Sequence, residues 1–103
     1  MYDLEFRIMY ISPGNIFGWE SEKERKDIDN YRTMLRERKI PPAIPVCYAG
    51  DGMYSLDYSL SDGGHRRWIA ASEEGHRVRV YLRRGAQVVP EKKRKKISEV
   101  KIV

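Results

Sequence analysis

The chain has 103 residues, of which 41% are apolar and 34% charged, with a formal net charge of +5. That length fits one domain and excludes a multidomain assembly, and the composition is too polar for a membrane protein and too rich in Tyr, Ile, Leu and Val for general disorder. No apolar run approaches the roughly 20 residues of a spanning helix, and the N-terminus alternates where a signal peptide would be continuously apolar, so a cytoplasmic protein is expected.

In residues 2–10, Tyr2, Leu4, Phe6, Ile8 and Tyr10 share one face and Asp3, Glu5 and Arg7 the other, the period of a half-buried strand. Ser12-Pro13-Gly14-Asn15 ends it. Ser21 with Glu24 three residues on reads as a capping box, predicting a helix over 21–39 whose stripe is Ile28, Tyr31, Met34 and Leu35. Pro41, Pro42 and Pro45 forbid helix and lead into a strand near 44–48. Ala49-Gly50-Asp51-Gly52 is a turn, after which Tyr54, Leu56, Tyr58 and Leu60 alternate with Ser55, Asp57 and Ser59, completing a hairpin. A short helix over 65–74 ends at Gly75, Val78, Val80 and Leu82 form another strand, and VKIV at the end suits one more. The expectation is an α+β domain, a small mixed sheet with two packed helices, over 1–83, followed by a basic extension over 84–103.

Charge is concentrated in that extension. Residues 83–103 carry eight basic and two acidic side chains, leaving the rest close to neutral. The run Lys92, Lys93, Arg94, Lys95 and Lys96 suits weak, salt-dependent contact with DNA or RNA phosphates, or a solvated terminus. Cys47 is the single cysteine, and with His65 and His76 it makes no zinc spacing. Cys47 and the tryptophans Trp19 and Trp68 read as core residues, and His76 as a surface residue.

The junction Ser61-Asp62-Gly63-Gly64-His65-Arg66-Arg67 carries the functional pattern. Two glycines at a helix mouth allow a sharp turn and close ligand approach, while unpaired N–H groups and the helix dipole favour an anion. Arg66 and Arg67 add charge suited to phosphate, and Asp62 and His65 stand where a sugar or reacting hydroxyl would lie. The same residues also read as a capped, solvated turn.

The segment YSLSDGGHRRWIAASEEGHRVRVYLR resembles the signature region of the ParB/sulfiredoxin superfamily, with Gly64-His65-Arg66-Arg67 where ParB-like domains carry Gly-Glu-Arg-Arg. The likeness extends over about residues 4–83. It implies a nucleotide or other phosphate ligand at Asp62, Gly63, Gly64, His65, Arg66 and Arg67, and CTP, ATP or ADP with magnesium as the cofactors. A later box of ParB proteins, Glu-Asn-x-Gln-Arg, is missing, and so are their helix-turn-helix and dimerisation domains, since the chain ends about twenty residues after the last matching strand, so a stand-alone module is expected. Gly64 stands where sulfiredoxin has its catalytic cysteine, which excludes sulfinic acid repair. A free serine kinase of the same superfamily pairs an Asp-Gly-His-His-Arg box with nearby glutamates, and this likeness implies Glu20, Glu22 and His65 as catalytic groups of a phosphotransferase or nucleotide hydrolase. A third reading is a DNA-associated accessory protein using the basic run alone.

Overall fold

The computed structural model describes residues 7–103. Seven strands and two α-helices form an α+β unit: β1 (Ile8–Ile11), β2 (Ile16–Phe17), β3 (Glu22–Lys23), α1 (Arg25–Arg36), β4 (Ile44–Gly50), β5 (Met53–Leu56), α2 (His65–Glu73), β6 (Val78–Leu82) and β7 (Lys101–Ile102). A mixed five-stranded sheet runs β1-β6-β4-β5-β2, and β3 pairs with β7 in a separate parallel ribbon. No helix among the described residues is long and apolar enough to cross a membrane.

Local chemistry explains the centre of the chain. The proline-rich approach delivers Ile44 and Val46 to the core, and the β4–β5 hairpin turns through Gly50, Asp51 and Gly52, all at positive φ. Helix α2 carries Trp68, Ile69, Ala70 and Ala71 into the core and stops at Gly75, whose φ is +72°. It meets Ile28 of α1 over Ile44, Val46, Leu56, Val78 and Val80 of the sheet. Trp68 is fully buried and its indole N–H donates to the Pro13 carbonyl at 3.0 Å. Cys47 is a half-buried free thiol whose pKa is raised by burial.

Three expectations are corrected. Tyr2, Leu4 and Phe6 lie outside the described residues, but in β1 it is Met9 and Ile11 that pack on the core while Tyr10 is exposed. The reason is register: Met9 pairs with Val80 and Ile11 with Val78, and cross-strand partners share a face. The capping box does not form. Helix α1 begins at Arg25 with Glu24 as an N-cap lacking a side-chain bond, because Glu22 and Lys23 instead pair with Lys101 and Ile102. The alternation over 54–60 breaks after Leu56. Ser55 and Asp57 are fully buried, since residues 83–89 fold across that face: Val89 N–H donates to Ser55 Oγ, and Gln87 N–H and the Arg83 guanidinium donate to Asp57.

The chain after β6 is thus held at several points. Val89 and Val100 are buried, Gly18 and Lys95 exchange backbone hydrogen bonds, and β7 closes against β3.

Candidate functional site

The turn between β5 and α2 brings Asp62, Gly63, Gly64 and His65 together with Trp19, Glu20 and Lys23 from the segment after β2. Gly63 and Gly64 have φ of +65° and +88°. A Cβ on Gly63 would strike the Trp19 ring, and one on Gly64 would strike Ile44, so both conformation and space demand glycine. Gly64→Ala should therefore cost at least about 2 kcal/mol, left-handed strain plus the clash, measurable by denaturant unfolding. A loss near zero would mean the turn relaxes freely.

Asp62 organises the turn. Its Oδ2 accepts the Gly64 N–H at 3.1 Å, and its Oδ1 takes the Lys23 ammonium at 2.8 Å and lies 3.5 Å from Arg66 Nη1. Burial alone would raise its pKa, but the Lys23 hydrogen bond and charge outweigh that and hold it below the usual aspartate value. Lys23 also pairs with Glu20. Burial works against the ammonium, yet its hydrogen bonds to Asp62 and Glu20 prevail and raise its pKa.

His65 is fully buried, edge-on to Trp19 with centroids 4.5 Å apart. Its Nε2 accepts the backbone N–H groups of Trp19 at 3.0 Å and Glu20 at 3.1 Å, which assigns the proton to Nδ1, donated to the Asp62 carbonyl at 2.5 Å. Both ring nitrogens are engaged with backbone, so the imidazole joins the 18–20 segment to the turn. Burial is the main cause of its lowered pKa. A Cβ on Gly18 would also strike this ring.

The two arginines part company. Arg66 stays near the turn, 3.4 Å from Asp27 at its closest, and its Nε is buried without a hydrogen-bond partner among the described residues. Arg67 turns away, its Nη1 donating to the carbonyls of Pro42 and Ala43 at 2.9 and 3.1 Å. The backbone N–H groups of Arg66 and Arg67 meet no acceptor among the described residues, the open amides of a helix's first turn. Of the candidate acids, Glu20 borders the turn, whereas Glu22 is exposed on β3 and adjacent to Lys23, so it points to the opposite face.

Glu20, Asp62 and His65 place donor atoms within 4.8 Å of one another. A magnesium ion does not fit that trio as it stands, because the Lys23 ammonium already bridges the carboxylates and both imidazole nitrogens are taken.

The basic run borders the same region. Lys93 Nζ lies 3.2 Å from Tyr58 Oη, and Tyr58 packs edge-on to Trp19 with centroids 5.1 Å apart. Arg94 covers the Phe17 ring and donates to the Val89 carbonyl. Lys92 and Lys96 are exposed. Tyr48 and Tyr54 pair with each other, apart from Tyr58, so the tyrosines form no continuous strip.

Lys23 was not legible as a site residue, since its partner Asp62 lies 39 positions away; its i,i+3 spacing from Glu20 was the one local sign. No protein-family model matches the chain, and no curated protein matches it significantly.

Proposed function

We propose that the protein is a ParB/sulfiredoxin-like domain that binds a nucleotide or another phosphate ligand at the first turn of α2. The observation that carries the reading is the pair of open amides, on Arg66 and Arg67, beside the Arg66 guanidinium, which among the described residues is held only by ion pairs of 3.4 and 3.5 Å with Asp27 and Asp62. An anion there gains two N–H donors, the helix dipole and one charged fork. Element order and the position of Gly64-His65-Arg66-Arg67 at the helix mouth support the resemblance. Arg67 contributes its amide rather than its side chain, and His65 holds the turn's shape.

Asp62 competes with the ligand for Arg66, which yields an expectation of unusual sign. Arg66→Ala should weaken nucleotide binding by roughly ten- to a hundredfold, the loss of a charge-assisted hydrogen bond. Asp62→Asn should strengthen it about fivefold, by removing a like charge worth about 1 kcal/mol at a wet surface. Amide chemical-shift titrations with CTP, ATP, ADP and GTP measure both. If none of the four moves the Gly63, Gly64, Arg66 or Arg67 resonances at millimolar concentration, the site is not a phosphate site.

The position of Lys93 beside Tyr58 favours a second reading, in which the basic run contacts DNA or RNA alongside the turn. Arg94 is committed to Phe17 and Val89, so about two to four of the five charges are available and the salt slope of log affinity should lie near −2 to −4. Lys92→Glu with Lys96→Glu is the appropriate variant, because deleting the segment would remove β7 and buried Val100. Binding indifferent to salt or to that double change would take nucleic acid out of the account.

A further inference from the structure

On another part of the surface the end of α1, the 40–44 segment, α2 and the start of β6 enclose a groove of about 490 Å³. Its apolar lining includes Leu35, Ile44, Ala71 and Val78, with Tyr10 and Ile40 left 57% and 69% exposed beside them. The charged residues lining it are Lys39, Arg67, Arg77 and Arg79, and no carboxylate lines it among the described residues. In a chain with 15 acidic side chains this one-sided rim is a property of the place rather than of the composition.

The rim is also only partly committed. Arg67 and Arg79 each use Nη1 to hold the 41–43 carbonyls, which fixes the guanidinium groups while leaving further N–H donors on each. Lys39 meets Glu37 in an exposed pair, and Arg77 has no ion pair among the described residues. A volume of this size falls within the roughly 300 to 1,000 Å³ typical of small-molecule pockets, where an apolar wall supplies affinity and a few polar groups fix orientation.

We propose that this groove binds a small organic carboxylate with an apolar body, the body against Tyr10, Leu35 and Ile40 and the carboxylate on the arginine rim. The planar forks of arginine match a carboxylate bidentately. Charge complementarity selects an anion, and the apolar floor selects against a bare phosphate or a polyphosphate chain, which would leave that surface uncovered. The assignment is independent of the nucleotide reading, since the turn offers the Arg67 amide and the groove its side chain.

Octanoate and 1-octanol are the probes, followed by amide chemical shifts on the full chain. Octanoate should give saturable shifts at Tyr10, Ala71, Arg77 and Val78, and octanol, which keeps the chain and loses the charge, should bind about tenfold more weakly. Lys39→Glu with Arg77→Glu should weaken octanoate by at least about tenfold and leave octanol unchanged. Both side chains are exposed, and the thermal transition verifies that the variant is folded; should it not fold, the octanoate–octanol comparison on the unaltered chain decides by itself. Equal binding of the two probes, octanoate binding untouched by charge reversal, or no saturable shift at about 10 mM would overturn the proposal, as would ATP shifting these resonances while octanoate does not.

Discussion

Asp57→Ala should destabilise the fold by about 3 kcal/mol, which for a domain of this size lowers the thermal midpoint by roughly 12 to 24 °C. The carboxylate is fully buried at the end of β5 and accepts four hydrogen bonds, from the Ser59 N–H and hydroxyl, the Gln87 N–H and the Arg83 guanidinium. Alanine leaves two backbone donors without an acceptor and releases the 83–87 loop from the sheet face, exposing the Ser55–Val89 contact behind it. Arg83 is 40% exposed and can return to water, so the loss falls at the lower end of the range for a broken buried pair. Burial alone would raise the Asp57 pKa, but the hydrogen bonds from Ser59, Gln87 and Arg83 together lower it below 3.8. A carboxyl depressed in the folded state contributes stability above its unfolded pKa and loses it as pH falls through the folded value, so this contribution starts to decline near about pH 4 and is lost at lower pH. Urea unfolding of Asp57→Ala at neutral pH measures the effect. A loss under about 1 kcal/mol would show that the carboxylate does not hold the chain across the sheet.

That contact also marks where the sequence stops being readable. The hairpin, α2 and β6 follow from chemistry within a few residues: prolines before β4, the Gly50-Asp51-Gly52 turn, and Gly75 after the helix. Ser55 and Asp57 look like a solvent face because alternation with Tyr54 and Leu56 says nothing about a segment thirty residues later that covers them. The same return of the chain moved the start of α1, since pairing of Glu22 and Lys23 with β7 displaced the Ser21–Glu24 capping pattern. At the candidate site the glycines were legible from local sterics. The fate of each polar side chain was not. Arg66 and Arg67 are neighbours in sequence, yet the 41–43 carbonyls draw one away, and the amides of Trp19 and Glu20 seal His65.

His65→Ala should cost about 3 to 5 kcal/mol, because it empties a fully buried ring site between Trp19 and Trp68 and strands the N–H groups of Trp19 and Glu20. His65→Phe keeps much of the volume and loses only the acceptors and the donor, so it should recover part of that loss. The pH dependence separates this role from a purely steric one. Burial lowers the folded-state pKa of His65 below 6.5, and protonation at Nε2 would remove the acceptor for both amides. The unfolded chain therefore takes up the proton first. Stability from His65 is complete above about pH 6.5 and declines as pH falls from there through the folded value, a window well above that of Asp57. The wild-type unfolding free energy should slope downward as pH falls below about 6.5, and His65→Phe should flatten that slope. A wild-type curve level below that pH, or a slope equally steep in the variant, would contradict the assignment of the proton to Nδ1. Because the same imidazole ties Trp19 and Glu20 to the turn that carries the open amides, any ligand at the turn should keep its affinity where only the unfolded chain takes up the proton. It should lose affinity once pH reaches the lower folded-state value, where the folded site itself is protonated. Its pH profile then reports on the geometry of the site rather than on proton transfer by the histidine itself.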